Sequence, residues 1–158
     1  MQHNEKDGVN VTFKLVDIII PKYSFVVPPQ DKPIKLDHQY TIEVNSGVFF
    51  DAEKKNVIVV LHTKYFYDKE KQILVSDLVT QTVYGIENFG EVIKQKNKDE
   101  FDVPDQLLLT LFSIALSSTR GIMMEKSSNN FLQKVFIPIV DPKELIKKRD
   151  KSEQKEDK

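Results

Sequence analysis

Apolar residues follow two different spacings along the chain, and each change of spacing marks an element boundary. Over residues 11–20 (VTFKLVDIII) β-branched side chains dominate, and Val11, Phe13 and Leu15 alternate with other residues at the two-residue period of a strand. Pro21 lacks a backbone donor and is expected to interrupt that strand, so 23–27 reads as a second short extended piece closed by Pro28-Pro29. Pro33 follows, and prolines at this density predict an extended surface connection. Alternation returns with Tyr40, Ile42 and Val44 set against Thr41, Glu43 and Asn45, the pattern of a half-buried strand, which Gly47 is expected to bend or bulge before Val48-Phe49-Phe50. Polar turns at 51–56 and 68–71 set off two further strands, 57–67 and 72–86. Three successive strands with short polar turns predict an antiparallel meander.

After a polar stretch at 91–100, read as a loop or short helix, the period lengthens. Pro104 suits the first turn of a helix running to about Thr119, with Gly121 as its C-terminal stop. Gln106, Thr110, Ser113 and Ser117 fall on one narrow stripe, and nearly everything else is apolar. Such a helix must be covered on more than one side, so a second subunit is expected against Leu108, Leu111, Phe112 and Ala115. The apolar strip 135–140 (VFIPIV) leads to a last helix with Asp141 as N-cap and Pro142 at its first position.

Composition narrows the function. The 158 residues suit a single domain, drawn at 1–146, and the cysteine count of zero removes disulfides, thiolate nucleophiles and thiolate metal sites. With 23 basic and 24 acidic residues there is no basic excess for a nucleic-acid partner. The last sixteen residues hold seven positive and five negative charges, so a mildly acidic body is expected to end in a solvated, disordered tail at 147–158. Neither a signal-peptide core nor an apolar run near ~18 residues occurs, and a soluble, cytoplasmic protein is expected, with no membrane insertion.

Candidate chemistry is sparse. His3, His38 and His62 have no metal-ligand spacing, and Asp99, Glu100, Asp102 and Asp105 are explained as loop and cap residues ahead of a helix. Glycine-rich phosphate loops and a Gly-x-Ser-x-Gly elbow are missing, and Ser117-Ser118 beside Arg120 has no paired base. The sequence therefore predicts no catalytic residue, no metal and no cofactor. It supplies instead ten Phe, five Tyr and proline-broken apolar strips, which predict oligomerisation or a binding groove.

The order of parts is similar to the SecB family of protein-export chaperones. Ser24-Phe25-Val26-Val27-Pro28 has the family's Ser-Phe-x-x-Pro form ahead of a proline-containing crossover. Ile42-x-Val44 falls where the first core strand begins, 57–61 resembles the second strand, and Val83-Tyr84-Gly85-Ile86 the end of the third. Thr119-Arg120-Gly121 resembles the Ser-Arg-Gly end of the long helix, and Pro138-Ile139 leading to Leu145 its last-helix approach. The likeness covers roughly 11–146; residues 122–137 are longer than the family's stretch, and His38 replaces a crossover aromatic.

The resemblance implies an α+β fold, with about four antiparallel strands followed by a long helix and a C-terminal helix, assembled as a dimer or tetramer. It implies an ATP-independent holdase that takes unfolded or precursor polypeptides in an apolar groove. Ile42 and Val44 match groove positions; Phe25, Ile34, Leu36, Tyr40, Phe136 and Ile139 are added as apolar residues near it. The family's SecA contact positions fall on Val75 and Asp77, while Lys22 and Val26 stand where its N-terminal acids would be. A module binding one dedicated partner, such as an antitoxin, is the alternative. A hot-dog-type acyl-thioester hydrolase using Asp77 or Glu87 is a weaker one, because hot-dog folds place the long helix before most strands.

Overall fold

In the computed structural model the described residues are 10–31 and 40–153, with side chains described as far as 147. Strands β1 (Phe13–Phe25), β2 (Thr41–Asp51), β3 (Asn56–Phe66) and β4 (Leu74–Ile86) form one antiparallel sheet in the order β1-β4-β3-β2. The meander is β2-β3-β4, and β1 adds to β4, so β1 and β2 are the sheet edges. Next come α1 (Phe89–Val92), a small hairpin of β5 (Lys94–Gln95) and β6 (Phe101–Asp102), the long helix α2 (Asp105–Lys126) and α3 (Pro142–Glu153). This is the expected α+β order, helices after strands.

The alternation of β3 decides which face is covered. Val57, Val59 and Leu61 are buried beneath α2 together with Tyr84 and Ile86 of β4. From the helix, Leu108, Leu111, Phe112 and Ala115 enter the same core, the last three with no exposed surface. The Tyr84 hydroxyl donates to the Leu111 carbonyl at 2.8 Å, and the Thr80 and Thr119 hydroxyls pair at 2.7 Å. The four helix residues expected at a subunit interface thus sit inside the chain's own core and offer a second subunit no surface.

Three local expectations change. Pro21 does not end β1, because an edge strand needs donors on one side only; the ladder absorbs the proline as a register shift between Ile19 and Lys22. Gly47 pairs with Val60 in unbroken register, so it makes no bulge. Helix α2 runs through Gly121, since Met123 continues its buried stripe, and ends at Ser127. The last helix begins as expected, with the Asp141 carboxylate accepting from the Lys143 N–H at 2.9 Å, but its backbone continues to Glu153, into the stretch expected to be disordered. The 22-residue α2 is long and apolar enough to cross a bilayer, yet one side packs on the sheet while Ser113 and Ser117 face outward, as in a core helix.

Among the described residues, no element packs on the opposite face of the sheet. Rows of cross-strand neighbours lie along it. Glu43, Lys64 and Asp77 form one row, Asn45, His62, Val79 and Lys22 the next, and Phe49, Ile58 and Val83 a third beyond Val60 and Gln81.

Candidate polypeptide-binding groove

At the end of the sheet away from the main core, a second cluster buries Tyr65, Tyr67, Leu78, Met123, Leu132 and Ile137. Phe25, Tyr40, Ile42 and Val44 are packed against it and half-buried. Register places them: Phe25 ends β1 opposite Ser76, and Ile42 and Val44 lie opposite Tyr65 and Thr63 on the helix side of β2. Phe131 joins them from the loop after α2, 5.3 Å from the Phe25 ring and stacked 6.0 Å from Tyr40, which meets Tyr67 edge-on at 6.0 Å. Burial pushes the Tyr40 phenol above its ordinary range, and Tyr67 adds to the effect. Four sequence-predicted groove residues are therefore gathered around one aromatic hollow.

The strip 135–140 forms the adjoining wall. Arg120, on α2, holds it by donating from Nη2 to the Pro138 carbonyl at 2.8 Å and from Nε to the Ile137 carbonyl at 3.4 Å. Ile137 points inward, whereas Phe136 is 58% and Ile139 96% exposed. These two predicted groove residues are on the strip but turned to solvent. Ile34 and Leu36, with His38, lie outside the described residues.

Between β2 and the strip lies a depression of about 390 Å³, with Ile42 and Val44 on one side and Pro138, Val140 and Leu145 on the other. Glu43 and Lys71 form an ion pair at its lip. A hydrogen bond from Lys71 holds the Glu43 carboxyl below its ordinary range, and the charges of Lys71 and Lys64 outweigh its desolvation. Beside the depression runs the free edge of β2, where no described segment bonds to the backbone. An edge strand of this kind accepts an extended segment by main-chain hydrogen bonds, while side pockets take alternate side chains. Sequence reasoning missed Phe131, Lys71 and Val140 as parts of the site. Phe131 carried the one available signal, an aromatic standing in a polar loop.

The expected SecA contact is placed differently. Val75 is fully buried, and Asp77 is 3% exposed, on the open face of the sheet. Its carboxylate accepts from Lys22 Nζ at 2.5 Å and lies 2.6 Å from His62 Nε2. Burial works to raise the Asp77 carboxyl, but hydrogen bonds from Lys22 and His62, and their charges, hold it below the ordinary range. The acid is present, yet its charge is already taken by neighbours of this chain. The same neighbours leave it unsuited to act as a free catalytic carboxylate.

No family model and no curated protein matches the chain. Among solved structures, a Mycobacterium tuberculosis SecB-like chaperone in complex with a ChAD peptide from the HigA1 antitoxin aligns with a TM-score of 0.54 at 13% identity. The alignment covers 81% of this chain and 89% of that one. The fold is SecB-like. A Streptococcus agalactiae protein of unknown function aligns with a TM-score of 0.34 at 12% identity, over 82% of this chain and 99% of that one. At 13% identity the SecB-like match speaks for the fold, and the chemistry of the site has to be argued from its own residues.

Proposed function

We propose that the chain is a polypeptide-binding chaperone that holds an extended, non-native segment along β2 and the aromatic hollow, without nucleotide and without chemistry. The observation that carries the reading is the juxtaposition of an unpaired strand edge with a strip that keeps Ile139 96% exposed. Main-chain pairing there is indifferent to sequence, and apolar side chains add affinity through buried area. Two clients of this kind are conceivable, many unfolded chains or one dedicated segment. The second is favoured by the SecB-like neighbour, which is bound to an antitoxin peptide. Export through SecA finds no support in the neutralised Asp77. The reading includes a cytoplasmic homo-oligomer, with subunits meeting at the 13-residue edge strand β1, which exposes Leu15, Val16, Ile19 and Ile20.

Copurification from native extract, followed by size-exclusion chromatography, tests the proposal. A dedicated-partner chaperone retains one protein stoichiometrically through an extended segment, whereas a general holdase retains many unfolded ones. A purified oligomer that binds neither a copurified segment nor any unfolded chain removes the reading.

A further inference from the structure

The open face of the sheet has a pattern that the groove does not use. Two of its rows are apolar almost from edge to edge, Phe49, Ile58, Val83 and Val16 in one, Val60 and Ile19 in the other, interrupted by Gln81. Val16 reaches this face through the β1 bulge, since a Cβ on Gly85 would lie 3.1 Å from its Cγ2. Phe49, Val16 and Ile19 are 60%, 51% and 43% exposed. The result is an apolar band that crosses all four strands and is bounded by polar rows on both sides. Contiguous exposed apolar surface with a polar rim marks an interaction site in soluble domains.

The shape and charge of the band select its occupant. Four strands spaced ~4.8 Å apart put the outer axes about 14 Å from each other, and two rows of alternate residues are about 7 Å wide. A helix ~10–12 Å across with one apolar stripe fits that footprint, and about three turns span it. A second copy packed sheet on sheet would also cover the flanking rows, burying Lys14, Lys64 and Glu43 along with the band, at a heavy cost in desolvation. The rim's unmatched charge is positive. Asp77 is satisfied by Lys22 and His62, Glu43 by Lys71, and Asp51 lies 3.8 Å from Lys54, whereas Lys14 and Lys64 have no ion pair among the described residues. Asp17, at the β1 margin, is the one acid of this region without a cation among the described residues.

We propose that this face is a second docking site, built for an amphipathic helix with acidic flanks on a folded partner protein. The helix lies across the strands, its apolar stripe on Phe49, Ile58, Val60 and Ile19, and its acids reach Lys64 on one side and Lys14 on the other. The inference does not depend on the groove, which lies on the far side of the sheet.

The test uses the full chain and two labelled synthetic helices of about twelve residues, with the same leucine stripe and either glutamate or lysine flanks. By fluorescence anisotropy at low salt, the glutamate-flanked helix should bind at least about tenfold tighter than its lysine counterpart, and added salt should weaken it. Phe49→Glu and Ile19→Glu, both at exposed positions, should each weaken it about tenfold, while Ile139→Ser leaves it unchanged. Several results would overturn the proposal: no binding at about 100 μM, equal binding of the two helices, indifference to both face variants, or loss in Ile139→Ser. So would a wild-type self-association that Phe49→Glu abolishes, because the face would then be occupied by a second copy.

Discussion

Replacing Ile139 with serine should weaken client binding by about ten- to a hundredfold and leave the fold untouched. The side chain is 96% exposed, so its removal deletes almost no contact in the free protein, and stability should stay within about 0.5 kcal/mol. In the complex the same side chain is covered. Full burial of an isoleucine contributes ~1.5–3 kcal/mol, and ~1.4 kcal/mol is a factor of ten in affinity. Phe136→Ser should cost less than its size suggests, because at 58% exposure part of the ring is already covered without a client. The assay is anisotropy of a labelled, permanently unfolded polypeptide, with urea denaturation of each variant in parallel. Phe49→Ser is the control, since it removes a ring of comparable exposure, 60%, from the other side of the sheet. If Ile139→Ser binds within twofold of the wild type while remaining folded, the strip is no part of the site. If Phe49→Ser is equally damaging, general apolar stickiness rather than a groove explains the binding.

Three further outcomes follow from the packing. Tyr84→Phe should destabilise by about 1 kcal/mol because its hydroxyl bonds the Leu111 carbonyl, whereas Tyr65→Phe, whose buried hydroxyl has no partner among the described residues, should be neutral or stabilising by a similar amount in chemical denaturation. Asp77 has a lowered carboxyl pKa, so its stabilisation is complete above the ordinary value of 3.8 and is lost as pH falls through the lower folded value; Asp77→Asn should flatten the stability profile in that acid window. Gly121→Ala should stabilise by roughly 0.5–1 kcal/mol, since the position is helical and exposed and nothing lies within 4 Å of the added Cβ; a loss in melting temperature would refute it.

The meander was legible because Ile42, Val44 and the residues of β3 alternate strictly, and alternation reports a strand with one covered face whatever the partner is. The cover itself was misread. An apolar circumference on α2 correctly demanded burial on more than one side, but the second cover is this chain: Leu132 and Ile137 fold back on Met123, and α3 packs on the helix as well. Periodicity carries the demand for burial and not the identity of what meets it. Pro21 and Gly121 were read as stops from intrinsic preference, and tertiary context overrode both, an edge strand in one case and a continuing buried stripe in the other. Asp77 shows a different limit. Its position on a strand was readable, but Lys22 and His62 reach it from 55 and 15 residues away through strand register, so its loss of free charge was not.

A single sheet covered on one side leaves two kinds of unfinished surface, and they select differently. The free edge of β2 presents backbone donors and acceptors, which any extended chain can match, so discrimination there falls to the few side chains of the aromatic hollow and the strip. The open face presents side chains alone, and whatever binds it must match an apolar band and its charged rim, which demands a preformed structure. On the proposed reading, a loosely selective groove and a selective face occupy opposite sides of the same strands. An unfolded segment and a folded partner can then be held together without competing for a residue. Because β2 supplies both the groove residues Ile42 and Val44 and the face residue Phe49, ordering of its edge by a client is a direct physical route from one site to the other. Client saturation should therefore tighten helix binding, and by linkage the helix should tighten client binding by the same factor. Unequal factors in the two titrations would mean that the two readouts do not report the same pair of sites.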